Sequence, residues 1–420
     1  MPRTPPTQPS FLDPPAVRAH EPRIRDAHLK LLWRSVILDG SSTLRADGVP
    51  SDIAARAASS FALPSSTIER TVPSKSNPGF KLVIKLNDGA LVETVAIVHE
   101  AEGSASGRIT VCVSSQIGCG MGCTFCATGG MGFQGNLTAG EILEQVWHVE
   151  RAAPTLGCHW RVSNVVFMGM GEPLNNYRPV LAALHGLVEL WAMPPSRITV
   201  STVGVVGRMR TLAADAPPVH LALSLHAATQ PTRLRLVPSA KAYPLHELMR
   251  ALDGYVYASN RSVLIEFILI AGVNVTDAEA HELGRWLERR EVLLNLIPYN
   301  PTAEGDKHGF RSPTRDDVQR FADVVGAYEG AREGTKLRVT VRWSSAFARD
   351  VDGACGQLAT AAAAARAPAA AEVGDGEGDS AASAAAASAA AASAGWWPGL
   401  RGLADAAAAA LLGGGGEDAD

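Results

Sequence analysis

The chain has 420 residues, 46% hydrophobic and 6% aromatic, with a formal charge of −4. That length buries a large core in one or two domains. No run approaches the 18 apolar residues of a membrane span, and the Pro-rich start lacks the apolar segment of a secretory signal. Six cysteines are too few for a disulfide scaffold in a chain this long, and three of them fall within eight residues, which points to metal binding in a reducing compartment.

Residues 1–24 are Pro-rich and expected to be disordered. Their arginines are offset by Asp13 and Glu21, which does not support an organelle transit peptide. Residues 25–78 read as short helices (AHLKLLWRSVIL, then SDIAARAASSFAL), a small helical N-terminal subdomain. The core is expected over 79–358. FKLVIKL (80–86) and LVETVAIV (91–98), split by Asn87-Asp88-Gly89, predict a hairpin. RITVCVSS (108–115) predicts a third strand leading into the cysteine cluster.

Strand–helix alternation follows. Strands are predicted at 164–169, 197–203, 220–226, 262–270, 292–298 and 336–343, with helices at 178–190, near 206–213, and at 244–258, 277–290 and 314–329. The strands are near-continuous apolar runs, as in a parallel sheet covered by helices. The fold class is therefore α/β, a partial or complete (β/α) barrel. Cys119, Cys123, Cys126, the Gly169–Glu172 turn, Ser201, Ser224, His226 and Asn300 all fall at or just after strand C-terminal ends, the face of such barrels that hosts chemistry. The segment 359–420 is low in complexity, rich in Ala and Gly, and expected to be disordered. Its eight acids and two bases leave about +2 on the rest, so RNA contact has to come from local clusters. Candidates are Arg208, Arg210, Arg233, Arg235, Lys241 and the loop Lys307–Arg315; each is equally compatible with a solvated face.

Cys119-x3-Cys123-x2-Cys126 places three thiolates on one Gly-rich loop. They suit three irons of a 4Fe–4S cluster and leave the fourth open for a ligand. The alternative is a structural zinc site with Cys112 or a histidine as fourth ligand, but no second Cys pair is present. In VVFMGMGEPLNNY (165–177), Glu172 offers a carboxylate to an ammonium group, and the glycines allow close backbone approach. Cys158 reads as a buried small hydrophobe.

The Cys-x3-Cys-x2-Cys loop after a first strand, followed by βα units, resembles the radical S-adenosylmethionine superfamily. SSQIGC, FCATGG, NLTAGEILEQV, FMGMGEPLNN, LALSLHA, NLIPYNP and ACGQLA together closely resemble the RlmN/Cfr family of RNA adenine methyltransferases, from about Glu93 to Leu358. The resemblance implies one 4Fe–4S cluster on Cys119, Cys123 and Cys126, and S-adenosylmethionine held by Gly171, Glu172, Ser201, Ser224, Leu225, His226 and Asn300. It implies two S-adenosylmethionine molecules per turnover. The first methylates Cys355; the second supplies a radical that takes hydrogen from that methyl group, and the carbon radical adds to adenine. Cys112 then attacks Cys355, releasing the product as a disulfide forms, and Glu93 acts as proton acceptor. Adenine carbon 2 is electrophilic, which closes the direct polar route from an electrophilic methyl donor.

The expected activity is methylation of carbon 2 of an adenosine in large-subunit rRNA, with tRNA as a further candidate. Carbon 8, a radical enzyme on a non-RNA substrate and a non-catalytic metal protein are the alternatives. A flavodoxin- or ferredoxin-type electron donor, a monomer and a cytoplasmic location are expected, or an organelle stroma or matrix in a eukaryote. Departures are WSSAFARDVDG before ACGQL, and Val203 in STVG.

Overall fold

The computed structural model describes residues 3, 8–100, 107–345, 348 and 350–359. The expected low-complexity tail from 360 onward lies outside them.

Three short helices begin the chain: α1 (Pro14–His20), α2 (Asp26–Ile37) and α3 (Ser51–Ser60). β1 (Thr67–Pro73), β2 (Phe80–Lys85), β3 (Leu91–His99) and β4 (Arg108–Cys112) form an antiparallel meander, with Lys85 opposite Leu91 across the expected turn. A two-stranded ribbon of β5 (Gln116–Gly118) and β6 (Phe133–Asn136) brackets the one-turn α4 (Ala127–Gly130) and is followed by α5 (Ala139–Thr155).

Beyond this point β4 acquires parallel neighbours in chain order. These are β7 (Val162–Phe167), β8 (Ile198–Thr202), β9 (His220–Ser224), β10 (Val263–Leu269), β11 (Val292–Pro298) and β12 (Arg338–Val341). Between them run α6 (Tyr177–Glu189), α7 (Val206–Asp215), α8 (Gln230–Leu236), α9 (Leu245–Ser259), α10 (Asp277–Leu287), α11 (Ala303–Lys307) and α12 (Arg315–Gly326). Seven parallel strands in sequence order, with β12 unpaired on its outer side, make the barrel partial. Val165, Val200, Leu221, Ile265, Phe267 and Leu294 are fully buried on these strands. Each such side chain contributes about 2 kcal/mol through removal from water. Phe267 meets Phe321 of α12 at 5.7 Å, which seats a helix on the outer face.

The N-terminal expectation needs correction for residues 8–24. Asp13 caps α1 by accepting the Ala16 N–H, and the two prolines that follow suit a first helical turn. Phe11, Leu12 and Val17 are fully buried in the same apolar cluster as the barrel, and the Trp33 indole donates to Phe11 O at 2.8 Å. Nor is the 25–78 segment wholly helical, since its last residues form β1. Glu144 on α5 staples these pieces down: it is fully buried and accepts from the hydroxyls of Ser10, Ser65 and Ser66 and from the Ser65 N–H. No helix among the described residues is long and apolar enough to cross a membrane.

Candidate active site

The loop that carries the cysteines is fixed from both sides. Gln145 of α5 clamps the backbone of Ser114, accepting its N–H at 2.7 Å and donating to its carbonyl at 2.9 Å. Asn176 donates to the carbonyls of Ser115 and Leu137, both at 2.8 Å. Gly118 has φ +67°, and a Cβ there would fall 1.9 Å from Gly132 O, so this turn into the loop requires glycine. Past the turn, the Thr124 N–H donates to Leu236 O at 3.0 Å, and Thr302 Oγ1 to Phe125 O at 3.1 Å.

Cys119, Cys123 and Cys126 open onto a cavity of about 850 Å³, counting its mouth. Gly171, Glu172, Ser201, Ser224, His226 and Cys355 line the same cavity. Burial pushes all three loop thiols up, Cys119 to about 12, and the charges of Cys126 and Cys119 add to the effect at Cys123. Thiolates in this position need a cationic centre to hold them ionised. Among the described residues no three His, Cys, Asp or Glu side chains converge on a point suited to one ion. That disfavours the zinc alternative, whereas a multi-iron cluster takes its thiolates on separate irons. The three-cysteine loop, dry and facing an open cavity, therefore fits an iron–sulfur cluster.

Glu172 follows Gly171, whose φ of +100° and whose contact with Gln116 leave no room for a side chain. Its carboxylate is 2% exposed and accepts the N–H groups of Leu174 at 3.0 Å and Val203 at 2.9 Å. Burial nonetheless outweighs these bonds and pushes the carboxyl up to about 7. Such a group gains from a cationic partner such as an ammonium. Ser201 and Ser224 approach each other across β8 and β9 at 3.3 Å. His226 sits in the left-handed region, φ +59°, and its Nδ1 accepts the Ile268 N–H at 3.1 Å. Burial, with Arg233 adding to it, lowers its pKa to about 3. The imidazole is thus neutral, and the bond at Nδ1 leaves the proton on Nε2.

Four expected site residues do not line this cavity. Leu225 is buried, donates its N–H to Glu266 O at 3.0 Å and accepts from Arg233. Asn300 accepts from the Ser344 hydroxyl. Cys112 ends β4; burial, with the charge of Cys355 added, pushes its thiol up to about 12. Glu93 is 1% exposed; burial raises its carboxyl, and the Lys81 ammonium, 3.4 Å from its Oε2, opposes that rise. Cys355 is exposed to the cavity space, and its loop is tied to the cysteine loop by the Ala127 N–H, which donates to Gly356 O at 2.8 Å. All six cysteines are free thiols, so the disulfide expected on turnover does not join Cys112 and Cys355 in this state.

Arg233 corrects another expectation. It is 1% exposed, not an RNA-facing loop residue, and it donates to the carbonyls of Val203, Ser224 and Leu225. Arg208, Arg210, Arg235, Lys241, Lys307, Arg311 and Arg315 are exposed, with Arg208 over the Tyr177 ring at 4.7 Å and Arg315 over Trp343 at 4.9 Å. Sequence reasoning missed Glu266, a buried carboxylate in the cavity wall. A signal was available: it is the one charged residue in the apolar strand SVLIEFILI.

A meander passing into parallel strands, with three cysteines on the loop after the first of them and an acid turn after the second, is the architecture of a radical S-adenosylmethionine methyltransferase. The structure matches the crystal structure of a radical SAM methyltransferase from Sphaerobacter thermophilus with a TM-score of 0.73 and 34% identity, over 83% of this chain and 99% of that one. In sequence the chain is similar to dual-specificity RNA methyltransferase RlmN 1 of Myxococcus xanthus, 43% identical over 288 residues, 67% of this chain and 74% of the relative. It is similar as well to relatives named RlmN from Nostoc punctiforme, at 42% over 66% of this chain and 72% of the relative, and from Opitutus terrae, at 39% over 80% and 83%. No family model matches. The chain belongs to the RlmN family.

Proposed function

We propose that this protein methylates carbon 2 of an adenosine in large-subunit rRNA, and an adenosine of tRNA as well, through a methylated Cys355 that Cys112 resolves. The observation that carries the reading is the sharing of one cavity by Cys355, the three loop cysteines and Glu172. A methyl-accepting sulfur needs to sit beside the methyl donor, and only a cavity common to both allows that. The relatives, named dual-specificity RNA methyltransferases, support RNA as the substrate class.

Cys119, Cys123 and Cys126 would hold a 4Fe–4S cluster, which would supply the electron for cleavage of S-adenosylmethionine, with two molecules of the latter serving each turnover. Glu172, beside Gly171, holds the ammonium of the cofactor. Ser201, Ser224, Leu225, His226 and Asn300 orient its remaining polar groups, His226 with its Nε2 proton as donor. Cys355 carries the methyl carbon to the adenine. Glu93, whose carboxyl burial makes more basic, takes the proton from the adduct, and the sulfur of Cys112 attacks that of Cys355 to free the product. The adenine has to leave its stack to reach Cys355, which favours a looped or single-stranded target. A flavodoxin- or ferredoxin-type protein delivers electrons to a monomeric enzyme in the cytoplasm.

Two measurements test this. Mass spectrometry of anaerobically isolated protein is expected to find one methyl group on the Cys355 peptide. Nucleoside analysis of rRNA and tRNA treated with the enzyme is expected to yield 2-methyladenosine. The 8-methyl isomer would move the reaction to carbon 8, and unmodified RNA with an unmethylated Cys355 would overturn the proposal.

A further inference from the structure

We infer that Glu266 is the base that removes the thiol proton of Cys355 as that sulfur takes its methyl group from S-adenosylmethionine; the inference rests on the methylated-Cys355 reading above.

The position of Glu266 is set by a row of polar side chains across the barrel. Ser224, Glu266, Asn295 and Thr340 stand in register on β9, β10, β11 and β12. Thr340 Oγ1 donates to Asn295 Oδ1 at 3.2 Å, which fixes the amide, and Asn295 Nδ2 then donates to Glu266 Oε2 at 2.7 Å. Among the described residues that is the one side-chain hydrogen bond the carboxylate makes, although the residue is 4% exposed and lines the cavity. A carboxylate held by a single donor in a dry wall costs several kcal/mol relative to an apolar residue. Fold stability therefore gives no reason for it, and the side facing the cavity invites a chemical one.

The other cavity groups are committed. Both oxygens of Glu172 accept backbone N–H groups, and His226 Nδ1 accepts that of Ile268. The loop cysteines are taken up by the cluster they would hold. Glu93 and Cys112 lie outside the cavity lining and serve the later RNA steps. Cys355, meanwhile, needs a base: the thiolate is the nucleophile, and enclosure by the cavity walls, followed by the charge of Glu266, pushes this thiol up to about 11, with Arg342 opposing. Glu266 and this sulfur line the same cavity. Burial raises its own carboxyl too, against the Asn295 bond and Arg342, which makes it a stronger base than an ordinary carboxylate.

The step balances. The Cys355 S–H bond breaks and its proton moves to the Glu266 carboxylate. The freed electron pair forms the S–CH3 bond, and the methyl–sulfonium bond breaks with its pair going to the departing sulfur. A sulfonium cation and a carboxylate anion become neutral S-adenosylhomocysteine and a carboxylic acid. The acid returns its proton to solvent before the next cycle.

The test uses full-length protein reconstituted anaerobically, as wild type, Glu266→Gln and Glu266→Asp. Methyl transfer to Cys355 in a single turnover, read by peptide mass, is expected to slow about 100-fold or more in Glu266→Gln and to recover in part in Glu266→Asp. Alkylation of Cys355 by iodoacetamide, with no cofactor added, is expected to slow in the same order across the variants, because the base serves that sulfur whatever the electrophile. A role played only through the cofactor would leave the alkylation rate unchanged. A Glu266→Gln protein that methylates Cys355 at the wild-type rate overturns the inference. So does one whose S-adenosylmethionine affinity, by equilibrium dialysis, falls in step with the rate, since Glu266 would then hold the cofactor. A wild type that never methylates Cys355 fails at the underlying reading, and the inference falls with it.

Discussion

Replacing Glu172 by Gln separates the cost of a buried charge from its use. Burial holds this carboxyl at about 7 against an ordinary 4.5. That difference is worth about 3 kcal/mol of folding stability. The folded state binds the proton more tightly, so the contribution is present below pH 4.5 and is lost as pH rises through about 7. A Gln cannot ionise, but its amide NH2 meets one of the two backbone N–H groups that Glu172 accepts. That lost bond costs about 1 kcal/mol. The cofactor-free variant is therefore expected to be about 1–2 kcal/mol more stable than wild type at pH 8, and equal or less stable at pH 5. Binding moves the other way. An ammonium paired with an ionised carboxylate gains about 1.5–3 kcal/mol, so the variant loses about ten- to a hundredfold in affinity for S-adenosylmethionine. In wild type only about a tenth of the carboxyls are ionised at pH 6, so affinity falls about tenfold from its plateau on acidification. Thermal melts at pH 5 and 8 and equilibrium dialysis at pH 6 and 8 measure both. Wild-type affinity that ignores pH over this range, or a variant less stable than wild type at pH 8, refutes the reasoning.

Cys112→Ala is expected to leave enzyme covalently joined to its RNA, visible as a denaturant-resistant band; the absence of such a band would remove Cys112 from the resolving role. Gly171→Ala places a methyl group 2.5 Å from Gln116 Cβ at a φ of +100°. It is expected to cost about 2–4 kcal/mol in urea unfolding and to abolish S-adenosylmethionine binding. Arg233→Met strips donors from the carbonyls of Val203, Ser224 and Leu225 together. About 3 kcal/mol or more is the expected loss, and an unchanged urea midpoint would show that those strand ends are held by other means.

The barrel was legible because its strands are apolar runs of the right length. The predicted strand 262–270 and helix 244–258 stand at Val263–Leu269 and Leu245–Ser259. β1 was not legible: TIERTVP lies at the sheet edge with an exposed pattern, so no burial marks its sequence. β5 and β6 are too short and Gly-rich to show a period. The Pro-rich start concealed Phe11 and Leu12, two apolar residues whose partners lie far along the chain. The cysteines and the GEP turn announced themselves through residue type and spacing. Arg233 did not, because a guanidinium in a loop reads as surface until three carbonyls are found converging on it, and Glu266 did not, because an apolar strand draws attention away from its single acid.

The staple at Glu144 sets how short this protein can be made. A version beginning at residue 25 would discard Ser10 and Phe11, taking one donor from a carboxylate with no route to water and the acceptor from the Trp33 indole. Trimming for crystallisation or expression therefore has to stop upstream of residue 10, and residues 10–24 belong to the smallest piece that stands by itself.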